Sequence, residues 1–201
     1  MVKCNKKGVK RVKKLLTTML ITMTILIAGC NSTNSSDPNN SFDSSELDKY
    51  TVKTIDEEVV QGDFLFRLVS EKKEYHVGEE VKLYGEIEYI GELDEVTIHH
   101  ASQAILFPMK EQVRNYKIHS MIEEIGLSTT LKKGEPYREE YAKSGGFAMD
   151  VDPPDYIEFM EDFLSIDGFP PGYYVVSGTT NFAYETERYE IQATVDFKVV
   201  D

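Results

Sequence analysis

Ile191-Gln192-Ala193-Thr194-Val195-Asp196-Phe197-Lys198-Val199 alternates apolar and polar residues without a break. Successive side chains of an extended strand point to opposite faces, so this run puts Ile191, Ala193, Val195, Phe197 and Val199 on one side. One buried and one wet face is the condition of an antiparallel sheet packed on a second layer. The same period appears upstream, where Val81, Leu83, Ile87 and Tyr89 oppose Lys82, Glu86 and Glu88. Further strands are expected over 64–70, 96–101, 105–109, 137–141 and 173–182. Turn signals separate them: His76-Val77-Gly78-Glu79, Gly91-Glu92, Lys133-Gly134-Glu135 and Pro170-Pro171-Gly172. Short strands punctuated this way predict a mainly β protein, an antiparallel β-sandwich. From Tyr50 or Asp63 to Asp201 the chain is one domain of about 150 residues, long enough to bury a core. No internal repeat is present.

One segment breaks the period of two. Tyr156, Phe159, Met160, Phe163 and Leu164 follow the i, i+3, i+4, i+7, i+8 spacing of a helical stripe. The reading is an inserted amphipathic helix over about 153–165, placed between the fifth and sixth expected strands on an edge or end of the sandwich. Asp152 is the expected N-cap, Pro153 the first helical residue, and Gly168 with Pro170 the stop.

The opposite end of the chain has a different composition. Seven basic residues precede an apolar run, Leu15 to Gly29, which four threonines interrupt and which no acidic residue enters. The run is shorter than the ~20 residues that cross a bilayer, and basic flank, apolar middle and small residues form the three parts of an export signal. An uncleaved membrane anchor is the alternative. Ile27-Ala28-Gly29-Cys30 resembles the lipobox of bacterial lipoproteins. That resemblance implies residues 1–29 as a signal peptide cleaved between Gly29 and Cys30, with Cys30 carrying the lipid, including chains such as palmitate. Two acyl chains suffice for stable anchoring. Residues 30–49, rich in Asn, Ser and Asp, then read as a flexible tether, because they hold too little apolar surface to offset ordering. Asn-Ser tethers behind a lysine-rich signal resemble those of low-GC Gram-positive lipoproteins. The expected localisation is the extracytoplasmic face of the cell membrane.

Charge and cysteine content narrow the function. The chain carries a formal net charge of −13; all 35 acidic residues follow Gly29, as do 15 of the 22 basic ones, so the part beyond Gly29 stands at −20. Such a surface excludes nucleic acid and flat docking on anionic headgroups as partners, and suits cationic ones. Of the two cysteines, Cys4 lies in the leader and Cys30 at the lipid site, so no disulfide is available and packing alone holds the domain.

Three phrases in the exported part carry a second resemblance: Tyr75-His76-Val77-Gly78-Glu79-Glu80-Val81-Lys82-Leu83, Leu131-Lys132-Lys133-Gly134-Glu135, and Pro171-Gly172-Tyr173-Tyr174-Val175-Val176-Ser177-Gly178. They resemble Ig-like modules of exported bacterial proteins, including the intracellular proteinase inhibitor-like domains of Bacillus. The resemblance implies an Ig-like domain over residues 50–201, with Tyr174 buried and its hydroxyl on a backbone partner. It carries over no activity, since no reactive-loop motif matches. The stretch 110–130, the helix and the lack of Trp depart from the pattern.

Candidate chemical groups are few. His99 and His100 are neighbours on a strand and point to opposite faces, with His100 half-buried and His99 outward; with His119 downstream they lack the convergence zinc needs. Asp150, Asp152 and Asp155 offer oxygens for calcium, without the EF-hand glycine and final Glu. Glu123-Glu124 and Glu139-Glu140 read as solvated faces, and Ser144-Gly145-Gly146-Phe147 as a flexible loop with no phosphate-cradle lysine after it. No G-x-S-x-G or H-E-x-x-H occurs. Tyr84, Tyr116, Tyr137, Tyr141 and Tyr184 are candidates for an outward binding face. The expectation is therefore a non-enzyme with no metal, no cofactor and no catalytic residue. It is a lipoprotein whose sandwich binds a cell-wall or protein partner, the alternative being a proteinase inhibitor or interference protein at the cell surface. At about 150 folded residues the domain is small for a two-lobed solute receptor.

Overall fold

The alternation over 191–199 becomes the last strand of a two-sheet sandwich. The computed structural model describes Phe42 and residues 44–201. A 3₁₀ turn, Ser44–Lys49, precedes β1 (Asp56–Gln61), β2 (Phe64–Ser70), β3 (Glu74–His76), β4 (Leu83–Tyr89), β5 (Glu95–Leu106), β6 (Met109–Glu111), β7 (Tyr116–Ile118), β8 (Leu127–Lys132) and β9 (Tyr137–Glu140). Helix α1 (Pro154–Ser165), β10 (Gly172–Tyr184), β11 (Glu187–Tyr189) and β12 (Gln192–Val200) follow. One sheet has the order β1-β2-β4-β9; the other runs β3-β12-β10-β5-β8, with β6, β7 and β11 attached beside β10. Pairing between strands is antiparallel except for β3 against β12, which is parallel. The architecture is a mainly β, two-sheet sandwich with one inserted helix.

The inward faces are those that the period of two selects. Phe64, Phe66 and Leu68 of β2 and Leu83, Ile87 and Tyr89 of β4 are buried; so are Tyr174, Val176 and Phe182 of β10 and Ala193, Val195, Phe197 and Val199 of β12. Each such Phe or Leu contributes ~1.5–3 kcal/mol of transfer free energy. The sheets interdigitate at Gly178, where an added Cβ would meet Leu68 Cδ1 at 2.7 Å. Tyr174 is buried and donates its hydroxyl to Pro170 O at 2.8 Å, as the resemblance implies.

Some elements differ from the sequence expectation. The strands expected at 96–101 and 105–109 are largely one, β5, which lies between β8 and β10 and whose ladder to β10 shifts register opposite Thr180/Phe182. In α1 the N-cap is Pro153 with φ −59°, and Pro154 occupies the first turn. Asp152 instead accepts the Ala148 N–H at 2.6 Å, closing the preceding loop. Phe159, Met160 and Phe163 are buried as the stripe requires, while Leu164 stays exposed. Packing also reaches back into the stretch read as tether: Ser44–Lys49 is ordered with Leu47 buried, Tyr50 stacks on Tyr173 at 4.7 Å, and Phe42 lies under the Arg114 guanidinium at 4.2 Å.

Candidate functional site

The irregular segments 119–126 and 141–153 are the long connections beside α1, and they meet. A Cβ at Gly145 would stand 3.7 Å from His119 O and 3.8 Å from Ile118 Cγ2. Between them and α1 lies a cleft of about 390 Å3 lined by Tyr116, Lys117, His119, Gly146, Asp152 and Tyr156, among others. Two tyrosines fix its wall. Tyr116 donates to Asp155 Oδ2 at 2.6 Å, Tyr156 donates to Lys117 O at 2.8 Å, and the rings meet edge to face at 5.3 Å. Burial, and then the Asp155 carboxylate receiving its proton, hold the Tyr116 hydroxyl above the usual tyrosine range. The same bond holds Asp155 below the usual carboxylate range.

The rim is apolar. Of the eleven large apolar side chains that stand exposed among the described residues, six fall between 121 and 151: Met121, Ile122, Ile125, Leu127, Met149 and Val151. Val151 is 81% exposed, Met121 74% and Met149 69%. Segment 119–126 is held to the sandwich at one point, where Ser102 N–H donates to Glu123 O at 3.1 Å and Glu123 N–H to Ser102 Oγ at 3.2 Å.

The candidates drawn from sequence are scattered. His99 is exposed with Nδ1 2.8 Å from Ser128 Oγ; His100 is buried with Nδ1 on Ala101 O and Nε2 on Thr129 Oγ1, both 2.8 Å. His119 stands exposed on the cleft. Asp152 and Asp155 are engaged by Ala148 and Tyr116. Among the described residues no three His, Cys, Asp or Glu side chains are grouped to hold a metal ion. Ser144-Gly145-Gly146-Phe147 is anchored rather than free, since Phe147 packs on the core.

One candidate and one expectation are not met. The outward tyrosine face does not form: Tyr116, Tyr137, Tyr141 and Tyr184 pack against the core, and Tyr84 lies under Arg138 at 3.2 Å. The Glu139-Glu140 pair is not one solvated face either. Glu139 turns inward, accepting the Ala104 and Ile105 N–H groups at 3.0 Å each and the Tyr137 hydroxyl at 2.7 Å. Two carboxylates that are buried act likewise. Glu111 receives Val113, Arg114 and Tyr173 N–H, and Asp196 receives Lys53 and Thr54 N–H with the Tyr173 hydroxyl. Each is satisfied by the donors around it.

Neither a protein-family model nor a curated protein matches the chain. Its function rests on its own residues.

Gly29, Cys30 and the whole stretch 1–29 expected as a signal lie outside the described residues. Among the described residues no helix is long and apolar enough to cross a membrane. Sequence reasoning missed the cleft because its walls come from separate segments; the signal was the aperiodic run Met121-Ile122-Glu123-Glu124-Ile125 in the long stretch between strands.

Proposed function

We propose that the chain is a lipid-anchored extracytoplasmic lipoprotein whose sandwich is a non-catalytic binding module, and that it holds a protein partner at the end formed by α1 and segments 119–126 and 141–153. The observation that carries this reading is that five of the eleven exposed large apolar side chains, Met121, Ile122, Ile125, Met149 and Val151, belong to the two connections that supply His119, Gly146 and Asp152 to one cleft. Long loops on a rigid β scaffold are where binding concentrates. Apolar side chains left in water at one site gain free energy only when a partner covers them. Met121 and Met149 add adaptability, since a thioether chain fills irregular surfaces. Glu123, Glu124 and Asp150 stand exposed around them, which suits an apolar partner surface with basic neighbours.

The anchor sets where that partner lies. Eleven residues lie between Cys30 and Phe42, and a chain reaches at most about 3.5 Å per residue, so Phe42 stays within ~40 Å of the bilayer. Phe42 shares a hollow with Arg114, Tyr116 and Asp155, so the chain enters the domain beside the cleft. The partner is then a membrane or cell-wall protein rather than a freely diffusing one.

The test pairs two variants. Cys30→Ala is expected to move the protein out of the membrane fraction or leave it as uncleaved precursor. The double variant Met121→Glu/Val151→Asp is expected to remain anchored and folded while losing the adduct that a photo-crosslinker at Met149 forms in intact cells. An unchanged adduct would exclude this end as the binding surface.

One observation favours the alternative of a proteinase inhibitor. Segment 119–126 is exposed, free of helix and strand before Leu127, and pinned at Glu123, which resembles a bound substrate in outline. Slow cleavage at Met121-Ile122 with loss of activity in a panel of proteases is the result that reading expects.

A further inference from the structure

We infer that the free edge of β8 is an association surface for a second copy of this chain. Exposed strand edges invite pairing with other strands, and proteins guard them with charge, brevity or covering segments. Of the four strands that end the two main sheet orders, three are guarded. Along β1, the Asp196 N–H donates to Thr54 O and the Thr194 N–H to the Glu57 carboxylate, so β12 runs against its approach. β3 has three residues and shares a hollow with Ser44, Ser45, Leu47 and Asp48. β9 is four residues long, carries Arg138 and Glu140 as an ion pair, and turns Glu139 inward.

β8 is the least guarded, with a single charged residue, Lys132, at its end. It is six residues long, Leu-Ser-Thr-Thr-Leu-Lys, without proline or acidic side chain in a chain that stands at −20 beyond Gly29. Its ladder is with β5, in unbroken register from Glu95↔Lys132 to His100↔Leu127; just beyond, Lys133 bridges to Tyr89 of β4 and Gly134 N–H donates to Tyr89 O at 3.1 Å, so the open stretch of the edge is 127–131. The ladder fixes which groups are free. Lys133 N–H donates to Asp94 O at 2.9 Å, in line with that register, so 94/133 is a hydrogen-bonded pair. Such pairs alternate along an antiparallel ladder, so Leu127, Thr129 and Leu131 bond toward β5. Ser128 and Thr130 therefore direct their N–H and C=O groups to the open side.

Two such edges complement each other. About a two-fold axis through Thr129, Ser128 faces Thr130 of the second copy as a hydrogen-bonded pair, and Thr130 faces its Ser128. Leu127, which is exposed, then faces Leu131, and no charge is opposed to a like charge. An edge pair of this length buries less than the ~1,200 Å2 typical of stable complexes, so association in free solution is weak. Tethering to one membrane raises effective concentration; that last step alone rests on the proposed anchor.

Thr129→Cys in the full chain, reconstituted in phosphatidylcholine vesicles and mildly oxidised, places two thiols across the axis. A disulfide-linked dimer is expected, absent from the wild type and from Val60→Cys as a control for random collision. Adding Thr130→Pro is expected to cut the dimer about tenfold, because it removes an outward N–H from each copy and none from the β5 ladder. Circular dichroism and a thermal melt establish that this variant folds. Thr130→Lys offers a second way to block the edge and predicts the same loss. Equal cross-linking by Val60→Cys, an unaffected dimer in folded Thr130→Pro, or a Thr129→Cys adduct to a different protein would each overturn the second copy as occupant. With Cys30→Ala added, equal cross-linking at the same bulk concentration leaves the pairing standing and counts against the anchor.

Discussion

Glu139 shows how one carboxylate organises this sandwich. Both of its oxygens serve consecutive N–H groups, Ala104 and Ile105, where β5 has left β8 and those donors lack a strand partner on that side. The Tyr137 hydroxyl adds a third donor, and Glu139 with burial holds that tyrosine above its usual range. Glu139→Ala is expected to lose ~2–4 kcal/mol of unfolding free energy, since three donors lose their acceptor at once. Glu139→Gln, keeping one carbonyl, is expected to lose about half of that. Urea denaturation of the three proteins measures both. The position was half legible in the sequence. Parity puts Tyr137, Glu139 and Tyr141 on one face, so an inward Glu was implied once the strand was drawn. Its acceptor role was not, because the donors come from a distortion some 35 residues upstream.

Strands and helix were legible in proportion to how much each buries. β2, β4, β10 and β12 bury one whole face and announce themselves by period; β1 and β8 lie at sheet edges, bury little, and read as polar sequence. The helix was placed from its stripe almost to the residue, and its caps were not. Its C-terminal end explains why. Gly168 adopts φ 68° and lies so close to Glu79 that an added Cβ would stand 2.1 Å from Glu79 O, a contact no local pattern encodes. The last carbonyls are capped from a distance: the Lys143 ammonium donates to Ile166 O at 2.7 Å and Gly168 O at 2.5 Å, and lies 4.7 Å from the Phe163 ring centre. A cation at a helix C-terminus opposes the local negative end of the dipole. Lys143→Met keeps the apolar stem and removes the charge; it is expected to cost ~1–2 kcal/mol and to loosen α1 and the loop before it. Hydrogen exchange of the 160–168 amides is the measurement, and unchanged protection there would show that the cap does not hold the helix.

Taken whole, the domain is a disulfide-free sandwich whose aromatic hydroxyls are repeatedly buried or aimed at carboxylates. Burial is the first cause that raises the ionisation range of Tyr116, Tyr137, Tyr141, Tyr173 and Tyr174. Asp155, Glu139 and Asp196 add to it for Tyr116, Tyr137 and Tyr173. In the unfolded chain these hydroxyls release their protons near pH ~10. The folded chain keeps them to higher pH, so above that point it binds more protons than the unfolded one. Stability is therefore fully present below pH ~10 and is lost as pH climbs toward the raised folded values. Lys143 acts in the opposite sense, because desolvation lowers its range and the folded form releases that proton first. One lysine opposes five tyrosines, so the net slope is downward. Unfolding followed by circular dichroism between pH 8 and 12 should coincide with phenolate absorbance in a single cooperative step lying above the ordinary tyrosine range. Phenolate appearing in full near pH ~10 while the sheet signal persists would mean that these hydroxyls are open to water, and the packing that positions the cleft wall through Tyr116 would have to be redrawn.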